Sequence, residues 1–188
     1  MKKAAAAAVK ASTYSVMSNY FAVLGIEPTY ELDESVLQRA YIAVQQQCHP
    51  DRQVGKPESE RHAAILRSMD ANEAYDVLKS PLGRAQQMLA LQGIWVNGEG
   101  PDQKKPDQAL LMEMMELRES LSEAKDEPEI AKVRQEIQEH MKACDAVLAD
   151  AFRAGDYERA AQIAMRFRYL GKSLEEAMAR QYQLKAAL

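Results

Sequence analysis

The apolar residues of this chain recur at helical spacing and nowhere sustain the strict alternation of a strand. That pattern excludes sheet-based folds. Val36, Leu37, Ala40, Tyr41 and Val44 step i, i+1, i+4, i+5, i+8. Ile130, Val133, Ile137, Met141, Cys144 and Leu148 step by threes and fours. The residues between them are mostly Ala, Gln, Glu, Lys and Arg, which lose little freedom in a helix. The expected fold class is all-α.

Capping residues and breakers divide the pattern. Asn19 to Leu24 reads as a short helix stopped by Gly25 and Pro28. Asp33 is placed to cap the helix that carries Leu37 and Val44, and Pro50 ends it near Cys48. After a loop over residues 49–57, a second helix spans Glu58 to Leu78. Its stripe of Ala64, Ser68, Ala71, Tyr75 and Leu78 lets another helix approach closely, so the two form an antiparallel hairpin. Ser80-Pro81 supplies an N-cap and a first-turn proline for a helix through Leu91. Residues 93–106 hold Gly93, Gly98, Gly100, Pro101 and Pro106, the expected linker. Beyond it, helices are expected over Asp107–Ala124, over Glu129–Phe152, and from Tyr157 onward with apolar positions Tyr157, Ala160, Ala164, Phe167, Leu174 and Met178. Ala154-Gly155-Asp156 turns the chain between the last two. Short connections between long helices imply an antiparallel three-helix bundle over 107–188. Residues 1–17 are expected to be a disordered extension.

Charge and cysteine usage narrow the function. A net charge of −4 leaves no basic footprint for nucleic acid. Cys48 and Cys144 are isolated, so neither a disulfide framework nor a zinc site is expected, and the reading is cytoplasmic. No apolar run reaches the roughly 18 residues of a membrane span. The chain lacks a Walker-type phosphate loop, GxSxG and HExxH. His62 and His140 lie far apart on helices and are expected at the surface or core edge, with no metal between them. No enzyme activity, metal or cofactor is expected.

His49-Pro50-Asp51 sits in the polar loop between the two hairpin helices. Around it stand Tyr20-Phe21, Leu24-Gly25, Tyr41, Asn72-Glu73-Ala74-Tyr75, Leu78, Ser80-Pro81 and Arg84. Together these resemble a complete J-domain over residues 18–92. The resemblance implies docking on a DnaK-type chaperone, with stimulation of that partner's ATP hydrolysis, through His49, Pro50, Asp51, Arg52, Arg39 and Tyr41. Gln45-Gln46-Gln47 stands where J-domains usually carry a basic face, and Arg52 where lysine is usual. Both departures point to a dedicated, HscA-like partner.

On the helix from Asp107, steps of about 100° per residue put Leu110, Met114, Leu117 and Leu121 on one stripe and Leu111, Met112 and Met115 on another. A helix in a small bundle needs one apolar stripe. The second requires a cover, and methionine suits adaptable surfaces. The string Leu111-Met112-Glu113-Met114-Met115-Glu116-Leu117-Arg118-Glu119 resembles the scaffold-binding helix of the bacterial HscB co-chaperones, and Arg166-Phe167-Arg168-Tyr169-Leu170 resembles their last helix. The resemblance implies that Leu111, Met112, Met115, Glu116, Arg118, Glu119 and Tyr169 bind an IscU-like iron–sulfur scaffold. Met115 replaces a more usual leucine, and Tyr169 a phenylalanine. The iron–sulfur cluster itself stays on the scaffold, because two distant cysteines cannot supply four thiolates. A J-protein with another client, or a helical module without chaperone activity, would share the fold and differ in scaffold binding and in ATPase stimulation respectively.

Overall fold

In a computed structural model, residues 19–96 and 105–186 are described. They form seven α-helices and no strand, in two compact units divided between Ile94 and Trp95. The extension 1–17 and most of the expected linker 93–106 lie outside the described residues.

The first unit holds α1 (Tyr20–Leu24), α2 (Glu34–Cys48), a 3₁₀ turn (Pro50–Gln53), α3 (Glu58–Lys79) and α4 (Pro81–Leu91). Its helix starts are local events. The side chains of Asn19, Asp33 and Ser80 each accept a bond from a first-turn amide. Phe21, Leu24, Leu37, Val44, Ala71, Ala74 and Leu78 make one core. Full burial of side chains such as Phe21, Leu37 and Leu78 contributes about 1.5–3 kcal/mol each. The small Ala71, part of the expected stripe, and Ala74, outside it, bring α3 against its neighbours. Val36 is exposed, and Ala64, Ser68 and Tyr75 are half-buried, so the buried faces are narrower than the periodicity implied.

Polar side chains lock this packing. Gln45 Nε2 donates to Asn72 Oδ1 at 2.8 Å and to the Ser68 carbonyl at 3.2 Å, while Ser68 Oγ donates to Gln45 Oε1 at 2.7 Å. Tyr41 donates to Asn72 Oδ1 at 2.9 Å and its ring lies 4.6 Å from that of Tyr75. Tyr20 donates to Glu73 Oε1 at 2.5 Å; burial first, then this carboxylate, pushes its phenol up to about 12. Arg84 Nε donates to the Tyr30 carbonyl and Nη1 to that of Leu78, each at 2.9 Å.

The second unit holds α5 (Gln108–Glu123), α6 (Glu127–Ala154) and α7 (Tyr157–Ala186). Helices α6 and α7 run antiparallel, with Ile130, Ile137, Cys144 and Leu148 on one buried face and Ala160, Ala164, Phe167 and Leu170 on the other. Helix α5 adds Leu110, Leu117 and Leu121. The turn into α7 is as expected: Gly155 sits at φ 70, and Asp156 Oδ1 accepts from the Arg159 amide.

Three expectations need correction. Helix α6 starts at Glu127, because Asp126 Oδ1 takes the Glu129 amide and Pro128 fits the first turn, and it continues to Ala154. Met114 and Met141 are half-buried rather than core. Met178 is exposed while Ala177 is buried; adjacent helical residues point about 100° apart, so a one-residue shift of the buried stripe exchanges them.

Candidate functional site

The first site is the hairpin tip. Pro50 fixes the opening of the 3₁₀ turn, and the turn is capped by the side chain before it: the Asp51 amide donates to His49 Nδ1 at 3.3 Å. With Nδ1 accepting, Nε2 is left as the imidazole's donor on a largely exposed side chain. The Asp51 carboxylate lies 3.6 Å from the same Nδ1. The Arg52 amide closes on the His49 carbonyl at 3.0 Å. Behind the turn, Gln53 is 7% exposed and donates to the Gln47 carbonyl at 2.9 Å, anchoring the loop to the end of α2.

The structure therefore groups His49, Pro50, Asp51 and Arg52 at one exposed tip. Arg39 is exposed on α2, about 15 Å along the helix from His49 by the rise of 1.5 Å per residue. Tyr41 is half-buried with its hydroxyl committed to Asn72. Gln45, read from sequence as a missing basic charge, is a cross-link between α2 and α3.

The second site is the outer face of α5. Leu111, Met112 and Met115 are 46%, 54% and 71% exposed, while Leu110, Leu117 and Leu121 on the other stripe are each below 9%. Glu116, Arg118 and Glu119 are exposed beside the patch, and Arg118 pairs with Glu176 of α7 at 3.1 Å. Tyr169 is half-buried, with the Arg168 guanidinium 5.5 Å from its ring centre. On the helical wheel it falls between Glu176 and Ser173, and both of these reach α5.

A buried-edge ion cluster fixes how α5 is turned. Glu113 Oε1 accepts from Arg166 Nη2 at 2.6 Å and Nε at 3.2 Å, and His140 Nδ1 stands 3.2 Å away. One carboxylate thus meets α6 and α7 together. The bond to Glu113 holds the Arg166 guanidinium above its usual range. Arg180 Nη2 donates to the carbonyls of Ser122 and Ala124 at the end of α5. Sequence reasoning placed His140 at the surface or core edge and missed Glu113 and Arg166 as a pair. The available signal was the wheel position of Glu113, about 40° from Leu117, where an acid needs a partner.

Among the described residues, no group of three or more His, Cys, Asp or Glu side chains converges as a metal site, and no helix is long and apolar enough to cross a membrane.

A helical hairpin with an exposed His-Pro-Asp tip, packed between a short first helix and a following one, defines a J-domain. With a three-helix bundle following it on the same chain, the class is a J-domain co-chaperone with a second helical unit. Comparisons agree: residues 19–87 match the DnaJ domain model and residues 106–178 the HSCB C-terminal oligomerisation domain model. The co-chaperone protein HscB homolog of Aeromonas hydrophila is 38% identical over 162 residues, covering 84% of this chain and 93% of that protein. The iron-sulfur cluster co-chaperone protein HscB homolog of Arabidopsis thaliana is 34% identical, covering 85% of this chain and 62% of that one. The structure of chaperone HscB from Vibrio cholerae superposes with a TM-score of 0.74 at 30% identity, covering 88% of this chain and 98% of that chain. The chain belongs to the HscB family of J-domain co-chaperones.

Proposed function

We propose that this protein holds an IscU-type iron–sulfur scaffold on the outer face of α5 and presents it to a DnaK-family, HscA-like chaperone in the cytoplasm. The chain regulates its partner's ATPase and catalyses nothing itself. The observation that carries this reading is an apolar stripe of Leu111, Met112 and Met115 that the bundle leaves in solvent, on a chain that also carries a J-domain. Glu116, Arg118, Glu119 and Tyr169 frame the stripe and give it register.

The tip residues His49, Pro50, Asp51 and Arg52 dock on the chaperone, with Arg39 and the ring of Tyr41 contributing from α2. Contact through exposed charges is weak and salt-sensitive. Holding scaffold and chaperone on one chain turns their encounter into an intramolecular one and raises the effective concentration of each for the other. Hydrolysis then traps the scaffold segment on the chaperone, and the cluster remains the scaffold's cargo throughout. The likeness to proteins named as iron–sulfur cluster co-chaperones supports the choice of client.

The test is steady-state ATPase of the cognate chaperone, with and without scaffold. His49→Gln is expected to abolish stimulation. Met112→Ala/Met115→Ala is expected to keep basal stimulation and lose the scaffold's added effect. Stimulation by the wild type without scaffold synergy overturns the client; no stimulation by the folded wild type overturns the co-chaperone mechanism.

A further inference from the structure

We infer that Met112 and Met115 make the α5 patch a reversible oxidation site, at which a peroxide-class oxidant switches off client binding. The inference rests on the client reading above. It comes from how differently the methionines of this unit are placed. Met115 and Met112 are 71% and 54% exposed, one turn apart in the middle of the apolar patch. Met114 between them is half-buried, and its sulfur accepts from Ser173 Oγ at 3.8 Å. Met165 is 5% exposed within the bundle. An oxidant in solvent reaches the two patch sulfurs before those of Met114 and Met165.

The reaction balances without a cofactor. The thioether sulfur attacks one peroxide oxygen, the O–O bond breaks, and a sulfoxide forms while the peroxide leaves as water or alcohol. Sulfur loses two electrons and the peroxide gains them. The product is a strongly polar S=O group where the patch needs a dry contact, so a client must now desolvate it without a partner. No charge changes, and the buried stripe Leu110, Leu117 and Leu121 is untouched, so the bundle stays folded. The cysteine of this unit does not compete: Cys144 is 2% exposed and burial pushes its thiol up, away from the reactive thiolate. Met178, 55% exposed on α7 outside the patch, is a built-in control.

The experiment treats the full chain with dilute hydrogen peroxide, removes it, maps sulfoxides by peptide mass spectrometry, and titrates an IscU-type scaffold by calorimetry. Oxidised wild type is expected to bind about tenfold or more weakly, the loss of one hot-spot contact, with affinity restored by methionine sulfoxide reductases. Met112→Leu/Met115→Leu, which keeps the apolar volume, is expected to bind alike before and after treatment. Met178→Leu is expected to lose affinity as the wild type does. Equal binding by oxidised and reduced wild type, or equal loss in the double leucine variant, overturns this inference alone. Absence of binding by the reduced wild type overturns the client reading and this inference with it.

Discussion

Gly83 offers the sharpest test of how the first unit is assembled. A Cβ added there would stand 2.1 Å from the Val77 carbonyl oxygen, 3.0 Å from its carbon and 3.1 Å from Val77 Cγ1. Ordinary contact begins at 3.4 Å, so α4 must retreat from the end of α3 by more than about one ångström. The obstacle is backbone, which cannot swing aside. Retreat also stretches the bonds from the adjacent Arg84 to the Tyr30 and Leu78 carbonyls. Overpacking costs about 1–3 kcal/mol, and a weakened charged hydrogen bond roughly 1 more. The stiffer unfolded chain returns about 0.4–1 kcal/mol. Gly83→Ala should therefore destabilise this unit by about 1–3.5 kcal/mol. Hydrogen exchange in the intact chain reads that directly: amides of α3 and α4 that exchange through global opening of this unit should exchange about 5- to 400-fold faster, with α6 and α7 unchanged. Unchanged exchange in α3 and α4 would refute the close-approach argument.

Two further outcomes follow from the polar contacts. Tyr41→Phe keeps the ring on Tyr75 and loses the hydroxyl on Asn72, so stability should fall by about 0.5–1.5 kcal/mol in urea unfolding while ATPase stimulation is retained; reduced stimulation at unchanged stability would contradict that assignment. Glu127 accepts from Lys185 at 2.8 Å and from Gln181 at 2.9 Å, which hold its carboxyl below the usual range, Lys185 most strongly. A depressed pKa stabilises the fold above the unfolded carboxyl's value and is lost as pH falls through the folded one. Glu127→Gln should thus be less stable than wild type at pH 7, and the gap should close below about pH 4; a gap that persists at acid pH would show that charge is not its origin.

What could be read from sequence divides by range. The caps at Asp33, Ser80 and Asp156 were legible because a cap is satisfied within three residues of itself. The apolar patch of α5 was legible because one helix carried two stripes. Contacts that join residues distant in the chain were not. Gln45 on Ser68, Arg84 on Tyr30, and Glu113 on Arg166 span 23, 54 and 53 positions, and nothing in the local pattern names the partner. Gln53 looked like an ordinary loop residue and is buried, because its amide completes the end of α2. The start of α6 lies two residues before the expected Glu129, because Asp126 caps the helix and its first turn accepts Pro128. The roles proposed for the tip and patch residues rest on a family resemblance, since spacing alone names neither partner.

The way the hairpin tip is held has a thermodynamic consequence. Pro50 restricts one torsion, the His49 ring caps the turn, and Gln53 ties the turn to α2. Fixing the backbone of a residue costs about 1–2 kcal/mol of conformational entropy, so ordering the five residues from His49 to Gln53 from a floppy loop would consume roughly 5–10 kcal/mol at each encounter. Here that entropy is surrendered when the unit folds. A partner that meets the tip finds it already in shape, so a sparse contact of a few polar groups can form without that ordering cost.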